Sequence, residues 1–376
     1  MVKTVNRQSG RTGWIVLLAA LLLACLPACA LASGEWLTLS GEQAPEAQDY
    51  LVTEEYTGTV RITFLGDCTL GGESKNRNSP RGFVRVVEEK GFDWPFRNLT
   101  ALTVSDDLTV ANLEGVLTDR FLPVREKKTF NFTGSAAYTG ILQAGSVECV
   151  TLANNHSHDY DLAGYRDTKA ALEAAGVAYF GTDCTAVWRN AEGLMIGFIG
   201  VSGSLSGDRS KVYREQAEAL RSFGCAAVIT VMHAGSEYIY EPDRYQKQIA
   251  ERAVGAGSCL VVGHHPHVVQ GYEILDGVPV VYSLGNCVFG GNANPRDHDA
   301  LVLRADLSFE EGTLTGITLR FYPVSVSGEP GRNDYSPVLL NGGDAERVLK
   351  KMEDSTGVSP GAFDEENGAA VTVPVK

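Results

Sequence analysis

Five of the seven histidines in this 376-residue chain fall in two short segments, ANNHSHD at Ala153–Asp159 and GHHPH at Gly263–His267. A sixth, His233, closes an apolar run, and other apolar runs end at Asp67, at Asn112 to Glu114 and at Asn286. The resulting inventory is Asp67, Glu114, Asn154, Asn155, His156, His158, His233, His264, His265 and His267. Mixed imidazole, carboxylate and amide donors suit Mn, Fe or Zn as divalent ions, whereas thiolates would favour zinc or iron–sulfur clusters. Two such ions about 4 Å apart can clamp both the attacking and the leaving oxygen of a phosphoryl or acyl hydrolysis. Read as an extended segment, His265 and His267 point the same way and can serve one ion or two adjacent ones. His264 alternates away from them. With His298 in RDHDA, it reads as a residue bonded to loop backbone, and His158 is open between pocket and surface.

Rival chemistries lack their residues. GDCTLGGES has the glycines of a phosphate loop, but Gly72-Glu73 stand where Gly-Lys is required. There is no G-x-S-x-G elbow for a serine hydrolase. GLMIGFIGVSG lacks the spacing of a dinucleotide loop, and its alternation predicts a hairpin strand.

The elements that must position the polar groups are legible as six apolar runs: VRITFLGD, LTVANLEG, VECVTLANNH, AAVITVMHAG, SCLVVGHHPH and VPVVYSLGN. Each is short, β-branched and bounded by Gly or Asn, the pattern of buried strands. Helix-period segments lie between them. LAGYRDTKAALEAAG places Leu162, Tyr165, Ala170 and Leu172 near one face and stops at Gly176; REQAEALRSFG and YQKQIAERAVGAG behave likewise. Alternating strand and helix predicts an α/β architecture. In such folds ligands bind beyond the carboxyl ends of the strands, where all six runs release their polar residues.

A hydrophobic share of 44% supports a sizeable core. Lys3, Arg7 and Arg11 precede an apolar stretch from Trp14 to Leu26, followed by a small-residue site at Ala30–Ala32, the order of an export signal. Residues 1–32 are therefore expected to be a signal peptide or membrane anchor, with Cys25 or Cys29 as alternative lipidation points. The formal net charge is −14, and removal of that basic leader makes the remainder three charges more acidic. Nucleic acid is excluded as a partner, because its phosphates would be repelled. The remaining cysteines, Cys68, Cys149, Cys184, Cys225, Cys259 and Cys287, form no C-x-x-C pair and read mostly as small buried hydrophobes. Residues 33–57 read as a linker and 58–350 as the main domain. Residues 291–350 supply its last strands and a helix, and 351–376 read as a loose tail.

The motifs FLGDCTLGG, ANLEG, LANNHSHDYDLAGYRDT, VMHAGSEY and VVGHHPHVVQGYEILDGVPVVYSLGN resemble, in order, those of the CapA family of capsule and poly-γ-glutamate synthesis proteins. The likeness runs from about Val60 to Phe289. That family is similar to the calcineurin-like metallophosphoesterases, which implies a four-layer α/β/β/α sandwich with a metal site of one or two ions. The resemblance implies metal ligation by Asp67, Glu114, Asn155, His233, His265 and His267. It implies a proton-donating role for His156, with Asp159 orienting its imidazole. Asn112, Asn154, His158, Glu237, Gln270 and Asn286 flank these ligands and are expected to contact substrate. Two positions depart from the phosphoesterase pattern: Thr69 stands where a histidine is usual, and Glu114 replaces a bridging aspartate. The implied role is hydrolysis of an anionic envelope polymer or its precursor, with capsule-synthesis membrane proteins as possible partners. The alternatives are a non-catalytic component of the synthesis and export machinery with a vestigial metal site, and a secreted phosphoesterase.

Mass spectrometry of the native mature chain should show residues 1 to about 32 removed or lipid-linked. An intact Met1 on soluble cytoplasmic protein would refute the export reading.

Overall fold

The computed structural model describes residues 34–40, 56–76, 79–124, 128–203 and 210–375; the leader at 1–32 lies outside them. The first half runs through β1 (Gly34–Ser40), β2 (Gly58–Thr69), β3 (Gly72–Glu73), α1 (Phe83–Lys90), α2 (Thr100–Thr103), β4 (Leu108–Leu113), β5 (Val116–Leu117) and β6 (Phe132–Gly134). It continues with α3 (Thr139–Ala144), β7 (Cys149–Thr151), α4 (Asp161–Ala175), β8 (Ala178–Phe180) and β9 (Cys184–Asn190). The second half comprises β10 (Met195–Ser202), α5 (Ser210–Ser222), β11 (Ala227–His233), α6 (Arg244–Gly255), β12 (Leu260–His264), β13 (Tyr272–Leu275) and β14 (Val278–Val281). The chain then forms β15 (Asn286–Phe289), β16 (Asp299–Glu310), β17 (Thr313–Ser325), β18 (Val338–Leu339), α7 (Gly342–Thr356) and β19 (Ala369–Pro374).

Two large sheets result. One has the order β1-β9-β10-β11-β12-β14-β13, with β10, β11, β12 and β14 parallel. The other has the order β18-β17-β16-β2-β4-β7-β8, with β15 added beside β2 and β19 beside β17. Ile62, Phe64 and Val110 of the second sheet meet Phe198, Ile229 and Val262 of the first in a shared core. Burying a side chain of this size contributes roughly 1.5–3 kcal/mol, so this seam is the main adhesive between the sheets. On the outer faces, α1, α3 and α4 cover the second sheet through Phe83, Val87, Leu142 and Leu172, while α5 and α6 cover the first through Leu220, Ile249 and Ala253. The architecture is the four-layer α/β/β/α sandwich.

Local signals explain most elements. Helix α4 ends at Gly176 with φ 70°, a left-handed cap that glycine adopts without strain. Its buried face is Gly164, Tyr165, Thr168 and Leu172; Leu162 and Ala170, expected on the same face, are exposed. Helix α6 starts at a capping box of Asp243 and Gln246. Two boundaries differ from the sequence reading. Within the expected linker, Gly34–Ser40 pairs antiparallel with β9, because Trp36 packs on the inter-sheet core. Within the expected tail, α7 runs to Thr356 and β19 pairs antiparallel with β17, burying Ala369 and Val373. Among the described residues no helix is long and apolar enough to cross a membrane.

One seam matters for function. Strand β16 pairs with β2 only as far as Phe64, and beyond it β15 takes over in parallel, setting Asn286 beside Asp67. At the changeover the β2–β4 register shifts between Leu65 and Asp67, a bulge that re-aims the following side chain. Gly66 permits this: a Cβ there would sit 2.3 Å from Gly285 O, which accepts the Asp67 N–H at 3.0 Å. Gly66→Ala should therefore destabilise the domain by about 1–3 kcal/mol through overpacking and lower its metal content at the same time. A thermal melt with metal analysis checks both, and an unchanged melt would remove the seam from the account.

Candidate metal centre

The strand ends bring their polar groups to one end of the sandwich. Oxygen donors arrive from one sheet: Asp67 on β2, Glu114 just after β4 and Asn155 in the turn after β7. Nitrogen donors arrive from the other: His233 at the end of β11, then His265 and His267 just past β12. Two sets converge, each with its ligand atoms within 4.8 Å of one another. One is Glu114, His233 and His265; the other is Asp67, Glu114 and His267. Glu114 belongs to both, the place of a bridging carboxylate. Asn155 Oδ1 joins the first set, 2.8 Å from His233 Nε2. His265 Nδ1 faces the same nitrogen at 3.1 Å.

Whether these residues fit a cation is answered by Glu114. It is fully buried, and neither carboxylate oxygen has a hydrogen-bond partner. The imidazole nitrogens His233 Nε2 and His156 Nε2 lie 3.6 Å and 3.8 Å from its Oε1, beyond hydrogen-bond reach. A buried carboxylate without partners is strongly unfavourable, and a divalent ion shared by the two sets removes that cost. Imidazole with carboxylate and amide oxygen is the donor set of Mn, Fe or Zn. The residues fit.

The charges respond to this crowding. Burial, reinforced by the Asp67 charge, pushes the Glu114 carboxyl up to about 8. Burial also opposes ionisation of Asp67, yet the imidazoles of His264 and His267 hold it well below the usual carboxylate range. Burial depresses His233 well below the ordinary histidine value and lowers His265 and His156. His267 goes the other way: burial is outweighed by Glu114 and Asp67, which lift it to about 10.

The backbone of the H-x-H segment is not extended. Strand β12 stops at His264, and His265 and His267 adopt φ 101° and 57°. Left-handed non-glycine residues cost of order 1–3 kcal/mol each and persist where the surroundings over-determine them. Here the His265 N–H donates to Asp67 Oδ2 at 3.3 Å, and Tyr238 N–H holds Pro266 O at 2.8 Å. The twist sends the two imidazoles to the two sets rather than to one side of a strand. His264 is not a loop-bonded bystander: it is buried, with Nδ1 3.5 Å from Asp67 Oδ1 and without a hydrogen-bond partner at that atom.

His156 lies at the rim of the cluster. Its Nδ1 is 2.7 Å from Asp159 Oδ2, and its ring stacks on Phe132 at 4.3 Å between centroids. Asp159 is fixed in turn by Phe132 N–H at 2.6 Å and by Lys128. Lys128 Nζ also donates to Asn155 O at 2.7 Å and lies 3.0 Å from His156 Nδ1. Sequence reasoning missed Lys128 and Phe132; the one signal was the basic KK pair of REKKTFNF in an acidic chain. Thr69, where the histidine of the phosphoesterase pattern is lacking, has a buried hydroxyl without a hydrogen-bond partner.

The expected substrate contacts divide. Asn112 is buried and donates to Asp67 Oδ1 at 2.7 Å, within 3.2 Å of His233 Nδ1. Asn154 donates to Asn112 Oδ1 and Leu113 O, and its own oxygen takes His156 N–H and the Ser157 hydroxyl. Asn286 orients His267 at 2.9 Å, and Gln270 holds Ile239 O and Glu241 O. These four are buried against protein and position ligands or loops, because a buried amide must spend its donors and acceptors locally. His158 stacks on Tyr165 at 4.3 Å, turned toward α4. Glu237 alone is exposed at the rim, its charge acting on His265.

Comparison with known proteins adds a lineage. Capsule biosynthesis protein CapA of Bacillus anthracis is 26% identical over 267 residues, covering 65% of this chain and 63% of that protein. PGA biosynthesis protein CapA of Bacillus subtilis is 28% identical over 251 residues, or 61% and 63%. A probable polyglutamine synthesis accessory protein of Mycobacterium tuberculosis is 26% identical over 290 residues, or 65% and 76%. The chain thus spans less than two thirds of the length of the two Bacillus relatives. The family model for the bacterial capsule synthesis protein PGA_cap matches residues 61–291. That span takes in every ligand of the centre, and the chain belongs to the bacterial capsule synthesis protein family.

Proposed function

We propose that this chain is an exported, metal-dependent hydrolase of capsule or poly-γ-glutamate biosynthesis. It would act at the cell envelope on an anionic polymer or its precursor, alongside membrane proteins of capsule synthesis. The observation that carries the reading is Glu114, a buried carboxylate without partners shared between two ligand sets. A divalent ion bound there would supply Lewis acidity and a water of lowered pKa. Asp67, Glu114, Asn155, His233, His265 and His267 would hold it. The chain's own groups supply the rest. Asp159 accepts a hydrogen bond from His156 Nδ1–H and leaves Nε2 facing the cluster, 3.8 Å from Glu114 Oε1. In hydrolysis a water oxygen would bond to the carbonyl carbon or phosphorus as the bond to the leaving nitrogen or oxygen breaks; His156, as imidazolium, would pass its Nε2 proton to the leaving atom, and the proton released by the water would restore the imidazolium. Lys128 pins the Asp159 carboxylate and the Asn155 carbonyl, so ligand and acid share one anchor.

A second reading is favoured by Thr69 in place of the usual histidine and by the accessory-protein name of the mycobacterial relative. In it the metal site is vestigial and the chain assists a polyglutamate synthase without turnover.

Metal removal comes first among the tests. At about 100 times its Kd, manganese should stabilise the wild type by about 2.7 kcal/mol, whereas His233→Ala and His265→Ala should bind less metal and gain less. His298→Ala should match the wild type; equal metal content in all three variants would refute the site. The enzyme reading is tested at His156. His156→Ala should keep its metal and lose about 10²–10⁴-fold in rate, with a smaller loss for substrates whose leaving group needs no proton. Wild-type turnover by that variant would reject the acid role. Absence of any turnover of phosphoesters or γ-glutamyl amides, together with loss of polymer in cells, would favour the accessory reading.

A further inference from the structure

Beside the metal centre, two loops are tied together for no purpose the hydrolase account has used. The loop Gly235–Asp243 leaves β11 just after the ligand His233 and is held along its length. Ser236 donates to Asp243 Oδ2 at 3.1 Å, and Gln270 Nε2 takes Ile239 O at 2.8 Å and Glu241 O at 3.2 Å. Gln270 is itself fixed by Gln246, which donates to its Oε1 at 2.6 Å while closing the α6 capping box. At the loop's centre Tyr238 adopts φ 61°, a left-handed conformation that a tyrosine keeps only under constraint. That conformation brings its ring 6.2 Å from the ring of the ligand His267.

The second loop joins β15 to β16 and carries Arg296. Its anchor is the next residue, Asp297, which is buried and accepts from Tyr240 Oη at 2.9 Å and from Lys351 Nζ at 2.8 Å. The Tyr240–Asp297 bond joins the two loops. The outcome is that Arg296 lies over the outer face of Tyr238, with Cζ 5.0 Å from the ring centroid. The guanidinium is exposed and, among the described residues, forms no ion pair. Lys128, the other cation at the rim, is bound to Asp159.

We propose that Arg296, carried on Tyr238, binds a carboxylate of the substrate next to the bond that is cut. This rests on the reading of the chain as acting on an anionic polymer. An arginine stacked on an aromatic ring keeps its planar fork free for a bidentate carboxylate, and the ring pre-orients it. In a strongly acidic protein such a cation also sets a local point at which an anionic chain is attracted rather than repelled. A γ-linked glutamate offers such a carboxylate: its α-carboxylate lies four bonds from the γ-carbonyl, roughly 5 Å when extended, while Arg296 is set off from the His267 ring by Tyr238. Arg296 is a specificity residue, with no part in bond breaking.

The test is equilibrium binding to the manganese-loaded full chain of two probes, a γ-linked glutamate tetramer and the same tetramer with its α-carboxylates amidated. The wild type should prefer the acid by about ten- to a hundredfold, the range of a charge-assisted hydrogen-bonded pair. Arg296→Gln should reduce that preference to within about threefold with unchanged manganese content, and Arg296→Lys should keep part of it, having charge without the fork. If Arg296→Gln retains the full preference, the proposal is overturned while the polymer reading stands. If the wild type binds neither tetramer although its manganese content is normal, the polymer reading fails and takes the proposal with it.

Discussion

The rest of the site is arranged around the burial of one charge. Glu114 lies between two packed sheets with no hydrogen donor within reach, and Asp67 and Asp159 are buried close by. Desolvating an isolated carboxylate costs several kcal/mol, far more than a surface ion pair returns. The protein compensates in part with His267, whose raised proton affinity reflects the two carboxylates beside it. It cannot compensate fully, because burial lowers the proton affinity of His233 and His265. A shared divalent ion would resolve the conflict, and its affinity would become part of the folding free energy.

Holding such a cluster requires a rigid frame, and amides provide it. Asn112 touches Asp67 of its own sheet and His233 of the other, so one side chain registers the two sheets against each other at the site. Asn154 passes that registration to the turn that carries Asn155 and His156. Each amide has its donors and acceptors met inside the protein, the condition under which a buried polar network adds rigidity rather than cost.

Much of this was legible in the sequence. Strand cores announced themselves by β-branched runs, and the polar residues at their carboxyl ends include those that the fold brings together. Edge elements were harder. GEWLTLS and AAVTVP are half-exposed, so their alternation is diluted by polar residues; they become strands through pairing with β9 and β17. Residue type also could not separate ligands from supports. Asn154 and Asn155 are adjacent and identical, yet one faces inward and the other reaches His233. Lys128 was unreadable for a related reason: its three partners lie 27 to 31 residues away and meet it only after folding.

The division of donors between the sheets has a consequence for which ion is taken up. Taken by itself, the half holding Asp67, Glu114 and Asn155 offers only oxygen donors, the hard character that calcium or magnesium prefers. The half holding His233, His265 and His267 is an all-nitrogen site, to which copper and nickel bind avidly. Only the closed sandwich presents the mixed set. An ion held at this seam would therefore be selected by a mixed donor set that neither sheet supplies alone.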